Sequence, residues 1–213
     1  MSATLALDVP DHDLELLCLG AHPDDIEIGC GGTLLELAGR RALRATFATL
    51  TGTPERRAEA RAAAEAFVPG ARVHAEDLPD GRLPARWGDA KAALERLAAH
   101  VRPDLVLCPR RDDAHQDHRT VAELVTTVWR DALVWEYEIP KWDGDMAGAT
   151  HYVPVSPENA RRKVELLTKS YPSQVGRDWW DDETFTSLMR LRGVECRARY
   201  AEAFVVRKAV LAP

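Results

Sequence analysis

The sequence lacks the features that mark several large classes of protein. It has four cysteines and no C-x-x-C pair, so neither a zinc ribbon nor a disulfide scaffold is indicated. Lysine and arginine (28) are outnumbered by aspartate and glutamate (34), and the net charge of −6 excludes a protein built mainly to bind nucleic-acid phosphates. No run of ~20 uninterrupted apolar residues occurs, and residues 1–13 contain no basic residue and no signal-like apolar stretch. We therefore expect a cytoplasmic protein that does not insert into a membrane.

The sequence does contain enough apolar material for a folded core. Hydrophobic residues make up 46% of it and charged residues 29%, a balance typical of globular proteins. A chain of 213 residues suits one domain, because single hydrophobic cores stop growing near ~250–300 residues. We expect one domain over residues 1–213, with its core at about 14–206 and the cysteines buried as small apolar side chains.

Apolar runs alternate with amphipathic stretches through the first two thirds of the chain. Residues 14–20 (LELLCLG) have the continuous apolar character of a strand buried on both faces of a parallel sheet. This alternation predicts right-handed βαβ units in one α/β domain, a three-layer, Rossmann-like fold with a mostly parallel sheet. The C-terminal third is less regular. The predicted strands are 14–20, 42–50, 71–75, 104–108, 132–137, 152–155 and 199–207, and the predicted helices are 31–41, 54–67, 88–101, 121–130 and 157–169.

Two polar clusters directly follow predicted strands. The first is residues 21–25 (AHPDD), and the second is residues 110–118 (RRDDAHQDH). In an open parallel sheet, ligands bind beyond the carboxyl ends of the strands, where loops and helix N-termini collect. The two clusters are therefore expected at the same edge of the sheet.

The residue types in these clusters suit a catalytic zinc site. Imidazole nitrogens and carboxylate oxygens are usual zinc ligands, and a catalytic zinc keeps one position open for water. His22 and Asp25 lie three apart around a turn stiffened by Pro23, and His118 would complete a site of two histidines and one carboxylate. Asp24 and His115 would then be free to act beside the ion, while Asp117 could orient an imidazole.

Each cluster alone also has an ordinary explanation. An Asp-Asp pair after a strand is often a helix N-cap, and a His-x-x-His pair is often a solvated helix start. Their joint position at strand carboxyl ends favours a site. His12, His74 and His100 have no comparable neighbours, and we expect surface or core roles for them.

The two clusters together resemble a known family. Residues 21–34 (AHPDDIEIGCGGTL), followed by HQDH at 115–118, are similar to the LmbE-like or PIG-L family of zinc-dependent N-deacetylases. The resemblance runs from Leu14 to about Val206. Weaker similarities lie at residues 53–60, at Lys163 with residues 171–174, and at residues 200–204.

The resemblance implies roles for six residues. His22, Asp25 and His118 would bind zinc, with Fe²⁺ or another divalent ion also open. Asp24 would be the general base, His115 an acid or oxyanion partner, and Arg56 a substrate contact, although Arg57 is an alternative match. Many members have Glu directly after HPDD, whereas this chain has Ile26, and so Glu27 is assigned no role. The implied substrate is an N-acetylglucosamine-type amino sugar or its conjugate.

Amide hydrolysis agrees with these residue types independently. Zinc lowers the pKa of bound water to roughly 7 and polarises a carbonyl. Asp24 would accept the proton of that water. His115, charged and held by Asp117, would stabilise the oxyanion, and either Asp24 or His115 could protonate the amine.

Two other classes of function are weighed against the deacetylase. Residues 26–32 (IEIGCGG) superficially match the glycine loop of an S-adenosylmethionine-dependent methyltransferase, but Pro23, Asp24 and Asp25 make a poor buried strand and Thr33 replaces the last glycine. The third class is a non-catalytic carbohydrate-binding protein that has lost its activity. This alternative is disfavoured, because no expected site residue is missing from the two clusters.

Five of the six tryptophans lie at or after residue 129, including Trp179 and Trp180. The charged residues that flank this pair argue against deep burial. A subunit interface or local packing is favoured over contact with a sugar, so a homo-oligomer is left open.

Overall fold

The computed structural model describes residues 13–40 and 42–210. The predictions for the N-terminal segment, His12 and Arg41 lie outside these residues. Seven strands and six α-helices are described, with short 3₁₀ turns at Leu83–Arg86 and Pro172–Gln174. The strands are β1 (Leu14–Gly20), β2 (Leu43–Thr51), β3 (Arg72–Leu78), β4 (Leu105–Pro109), β5 (Leu133–Tyr137), β6 (His151–Val155) and β7 (Tyr200–Val205). The helices are α1 (Asp25–Arg40), α2 (Pro54–Phe67), α3 (Trp87–Ala98), α4 (Gln116–Val128), α5 (Pro157–Ser170) and α6 (Asp182–Cys196).

The strands form one sheet in the order β3-β2-β1-β4-β5-β7-β6. Pairing is parallel from β3 through β5, and β7 runs antiparallel to both of its neighbours. The chain moves outward from β1 to β3 and then returns to place β4 on the other side of β1. The carboxyl ends of β1 and β4 therefore form the switch point at which doubly wound sheets bind ligands.

Helices cover both faces of the sheet. One hydrophobic core joins the sheet to α1, α2, α5 and α6, and a second core lies between the sheet and α3 and α4. Cys18, Cys30 and Cys108 are buried in these cores as free thiols. The predicted three-layer, mostly parallel α/β fold is confirmed.

Local sequence signals set several helix starts. Thr53, Ser156 and Asp181 accept hydrogen bonds from the backbone N–H three residues later, and proline follows at the first position of α2 and α5. In the part of the chain that is described, no helix combines the length and the apolar character needed to span a bilayer.

Helix α1 contains a kink at Cys30, whose backbone is not helical (φ −142°, ψ 17°). The Glu202 carboxylate on β7 accepts the freed N–H groups of Gly32 (2.8 Å) and Thr33 (2.7 Å). Lys163 of α5 balances that buried charge at 2.6 Å. The helix predicted to begin at residue 31 is therefore the second half of α1, and a first half, Asp25–Gly29, precedes it.

Two expectations about the sequence after residue 115 are wrong. Helix α4 begins at Gln116 rather than 121, which places His118 in its first turn. Trp180 is only 5% exposed, because it packs edge-on against Tyr171 and Phe185 despite the charged residues around it. Local packing is thus the role of this side chain.

Candidate active site at the carboxyl ends of β1 and β4

The loops that follow β1 and β4 meet because these two strands are neighbours. Cys18 of β1 pairs with Leu107 of β4, so both strands deliver their loops to the same edge. The β1 loop carries residues 21–24, and the β4 loop carries residues 110–115 before α4 begins. His22 and His118, which are 96 positions apart, come within 3.2 Å between Nδ1 and Nε2.

The turn after β1 has a demanding backbone. Asp24 adopts φ +98°, a left-handed conformation that is rare for residues other than glycine. Asp25 then starts α1 and accepts the N–H groups of Ala21 (2.8 Å) and His22 (2.9 Å) on Oδ2. Oδ1 of Asp25 faces His118 Nε2 at 3.3 Å. One oxygen of Asp25 therefore holds the turn while the other faces the site.

His22, Asp25 and His118 bring two imidazole nitrogens and one carboxylate close together. His22 Nδ1 lies 3.2 Å from His118 Nε2 and 3.5 Å from Asp25 Oδ2, whereas the Asp25 oxygen that lies 3.3 Å from His118 Nε2 is Oδ1. Ligands ~2.0–2.2 Å from a tetrahedral zinc ion lie about 3.3–3.6 Å apart. The three donor groups suit a divalent ion of this kind, and the separation of the two nitrogens is close to this range.

Each of the two histidines has a carboxylate on its other ring nitrogen. His22 Nε2 lies 3.0 Å from Asp80 and 3.3 Å from Asp117. His118 Nδ1 lies 3.0 Å from Asp113. The approach of Asp113 to His118 is an ion-pair contact without hydrogen-bond geometry. Carboxylates behind metal-bound imidazoles generally hold the N–H on the outer nitrogen and leave the lone pair of the inner nitrogen for the metal.

Sequence reasoning missed Asp80 and Asp113 as partners of the histidines. Asp113 lies within the second polar cluster, and Asp80 follows β3, a third strand that ends at this edge. The rule that drew attention to the loops after β1 and β4 would also have selected Asp80.

Asp117 is placed differently from the expectation. Its carboxylate was expected to hold His115, but it approaches His22 and accepts the N–H groups of Gly81 (2.8 Å) and Leu83 (3.0 Å). His115 contacts only the backbone of Asp117, whose N–H donates to His115 Nδ1 at 3.2 Å. The reason is that His115 is the N-cap of α4, whereas Asp117 lies in the first turn and faces the 79–83 loop.

His115 lies beside both His22 and His118. Its ring centroid is 4.7 Å from those of His22 and His118. The nitrogen atoms of the three rings also satisfy the spacing of a metal cluster, within 4.8 Å of one another. Partial burial and the positive neighbours His118 and His22 lower the pKa of His115. The expectation of a charged His115 ring is therefore wrong, because this shift favours the neutral form.

The metal-facing side chains have strongly shifted ionisation. Burial alone would lower the pKa of His118, but Asp25 and Asp113 outweigh it and raise the pKa to about 9. Burial would raise the pKa of Asp25, but His118 and His22 hold that pKa well below its usual range. Without an ion, protons on the two histidines therefore neutralise the carboxylates that surround them.

Asp24 has a different environment from Asp25. Burial raises its pKa to about 7 even though Arg56 opposes that shift. Arg56 Nη2 donates to Asp24 Oδ2 at 2.8 Å and also to the carbonyl of Pro23. Asp24 is thus a buried carboxyl group whose pKa lies near neutral pH.

Arg56, rather than Arg57, reaches the site. Its guanidinium lies over the ring of Tyr171, 5.8 Å from the centroid, and its side chain is 17% exposed. Arg57 points away to Asp77 at 3.8 Å. Within the protein, the charge of Arg56 is directed at Asp24.

The glycine-rich stretch does not form an open loop. Gly29 and Gly31 lie within α1, where an added Cβ at Gly29 would lie 2.1 Å from the Tyr137 ring and one at Gly31 would lie 2.7 Å from Phe67. Small residues are needed here for close packing. This arrangement gives no support to the methyltransferase alternative.

Comparisons with known proteins agree with this site. The sequence model of the family described as PIG-L, GlcNAc-PI de-N-acetylase, matches residues 17–129, which include both polar clusters. The chain belongs to this family. It is also 32% identical over 137 residues to YaiS of Escherichia coli (strain K12), described as an uncharacterized deacetylase, and the match covers 59% of this chain and 74% of that protein.

Solved structures share the fold of this PIG-L protein. The conserved protein TT1542 from Thermus thermophilus has a TM-score of 0.72 and 26% identity, over 94% of this chain and 97% of that one. N,N'-diacetylchitobiose deacetylase from Pyrococcus horikoshii also has a TM-score of 0.72, with 20% identity, over 90% of this chain and 83% of that one. The match to the family model and the similarity to YaiS place the chain in a deacetylase family, whose enzymes are metal-dependent.

Proposed function

We propose that this PIG-L protein removes the N-acetyl group from an N-acetylglucosamine-type amino sugar or its conjugate. His22, Asp25 and His118 hold one divalent ion, Zn²⁺ or another such as Fe²⁺. The observation that carries the proposal is the approach of His22 Nδ1 to His118 Nε2 at 3.2 Å, with Asp25 placing Oδ2 3.5 Å from His22 and Oδ1 3.3 Å from His118. The position that these three leave open is the one that a catalytic metal uses for water.

The donors fit such an ion in chemistry as well as spacing. Two imidazoles and one carboxylate suit zinc and related divalent metals. Bound there, the ion would lower the pKa of water and polarise the amide carbonyl. Asp113, Asp80 and Asp117 keep the two imidazoles oriented toward it.

Asp24 is the proposed general base. It follows His22 and Pro23, and its left-handed backbone sets its carboxylate apart from that of Asp25. A base works best when its pKa lies near the working pH, and the value of about 7 meets that condition. Arg56 holds the carboxylate and favours its charged form, so it acts as a positioning residue, and a direct contact with substrate is a further proposal.

His115 is the proposed acid or oxyanion partner. It is the N-cap of α4, with its ring beside both metal-facing rings. A ring held at this place can donate to the amide oxygen as negative charge develops there, or to the departing amine. Asp117 contributes indirectly, by orienting His22 rather than His115.

The amino-sugar substrate class comes from the family and from the chitobiose deacetylase that shares the fold. We also propose that the substrate is a small molecule in the cytoplasm and that the protein can form a homo-oligomer. The non-catalytic alternative is less favoured, because Asp24 would then have no reason to occupy a strained backbone beside a metal-like donor set.

The test is to load the metal-free protein with Zn²⁺ or Fe²⁺ and measure amine release from a panel of N-acetylated sugars and conjugates. We expect release with at least one sugar, and its loss when a chelator removes the ion. A protein that binds one equivalent of metal but releases no amine from any acetylated sugar would contradict the proposal.

A further inference from the structure

Two loops that carry tryptophans stand beside the site, one with an exposed ring and one with a partly buried ring. The first follows β5 and contains Trp142, which is 66% exposed. The second joins α5 to α6 and contains Trp179. The rings of Trp142 and Trp179 meet edge to face, 5.8 Å apart, and Trp142 Nε1 donates to Asp178 at 3.2 Å. These contacts give Trp142 a fixed orientation with one face toward solvent.

The first loop is anchored to residues of the site. Lys141, next to Trp142, lies 3.0 Å from Asp113, the carboxylate that contacts His118. Asp145, three residues after Trp142, accepts the N–H of Ala114 at 2.7 Å. Both anchors lie in the β4 loop directly before His115, so Trp142 belongs to the rim of the site.

The second loop leads to the site through aromatic contacts. Trp179 packs on Trp180 at 5.4 Å, and Trp180 packs on Tyr171 at 5.9 Å. Tyr171 lies under the guanidinium of Arg56, which binds Asp24. The aromatic wall, defined as Trp142, Trp179, Trp180 and Tyr171, thus connects the exposed ring of Trp142 to Arg56 and Asp24, and its inner rings, Trp180 and Tyr171, are buried.

The charges around the wall limit what it can bind. Residues 141–145 and 177–182 contain five aspartates against one lysine and one arginine. The lysine is already paired with Asp113 and Asp145. A phosphorylated ligand would be repelled here, and a hydrocarbon chain would gain nothing from the carboxylates. A neutral ring with a C–H face for the tryptophan and hydroxyl groups for the carboxylates meets both features.

We propose that Trp142 and Trp179 form an acceptor subsite that binds a second, uncharged sugar ring, joined to the amino sugar that is deacetylated. The proposal rests on the function proposed above and narrows its substrate class to neutral glycosides rather than phosphorylated conjugates. Trp142 is a specificity-determining residue in this arrangement, and Asp178 fixes its ring.

The test compares Trp142→Ala, Trp142→Phe and the parent, all with bound metal, on N-acetylglucosamine and on N,N'-diacetylchitobiose. We expect Trp142→Ala to raise KM for the disaccharide about three- to tenfold, the range of one aromatic contact, and to raise it less for the monosaccharide. Trp142→Phe should recover most of the loss. Leu191→Ala removes an equally exposed apolar side chain (63%) from α6 and should change neither KM.

A binding measurement separates failure of this proposal from failure of the proposed function. Asp24→Asn protein, with and without Trp142→Ala, is titrated with chitobiose and with a glycosyl phosphate by calorimetry. Weaker chitobiose binding after Trp142→Ala supports the subsite whether or not the parent turns the sugar over. Equal binding by both variants, tighter binding of the phosphate, or a shift from dimer to monomer caused by Trp142→Ala would overturn it.

Discussion

The two sides of the proposed site are built in different ways. The metal-facing side consists of short turns at the ends of β1 and β4, where Asp25 and His118 are each 3% exposed. The acceptor side consists of longer loops, where Trp142 is 66% exposed and is held mainly by Asp178 and Trp179. The proposed catalytic groups are thus held in place by the sheet. The groups proposed to determine substrate specificity lie on loops whose sequence can vary without disturbing the core.

The largest effect is expected from removing a metal-facing ring. His118→Ala deletes one of three ligands and leaves Asp25 and Asp113 without their buried partner. Stoichiometric metal binding and measurable turnover should both be lost, as checked by elemental analysis and amine release. His74→Ala, which changes an exposed histidine on β3, should alter neither property. Full metal occupancy in His118→Ala would exclude this ligand assignment.

The next largest effect is expected from Asp24, the proposed base, whose role differs from that of the neighbouring proposed ligand Asp25. Asp24→Asn keeps the three ligands but removes the proton acceptor, so kcat should fall ~10²–10⁴-fold with metal still bound. Asp131→Asn provides an exposed control with the same chemical change. Activity close to that of the parent would require another base.

A smaller effect is expected one step further from the ion. Asp113→Ala removes the carboxylate behind His118 and frees Lys141, so metal affinity should fall ~10–100-fold. Competition with a chromophoric chelator measures this change, and Asp143→Ala on the neighbouring exposed loop is the control. An unchanged affinity would show that the outer carboxylate does not orient the ring.

A change of pH alone tests the charge balance without any substitution. In the metal-free protein Asp25 and Asp113 outweigh burial and raise the pKa of His118 to about 9, so its ring carries a proton at pH 7. The metal must displace that proton. Affinity should therefore rise as pH rises, by about tenfold per unit below pH 9 for this one ring. A flat profile between pH 6 and 8 in the chelator competition would contradict the charge balance described here.

The difference between contacts made at the strand ends and contacts made by longer loops also explains which features of the site could be predicted from the sequence. The positions of His22, Asp25 and His118 followed from strand ends and residue types, because parallel strands deliver their loops to one edge. The orientation of Asp117 toward His22 did not follow, because it depends on the 79–83 loop, which approaches from β3. Burial of Trp180 was also missed, since a flanking run of charge says little about a ring that packs on Tyr171 and Phe185. Helix α6 was not predicted, because its apolar residues do not fall on one face at helical spacing.

X-ray absorption at the metal edge, with the site then located by anomalous diffraction, tests the central claim most directly. The account predicts one divalent ion per chain, bonded at about 2.0–2.2 Å to His22 Nδ1, His118 Nε2 and an Asp25 oxygen, with a water completing the shell. An ion bound instead between Asp80 and Asp117, or a shell without His118, would contradict it.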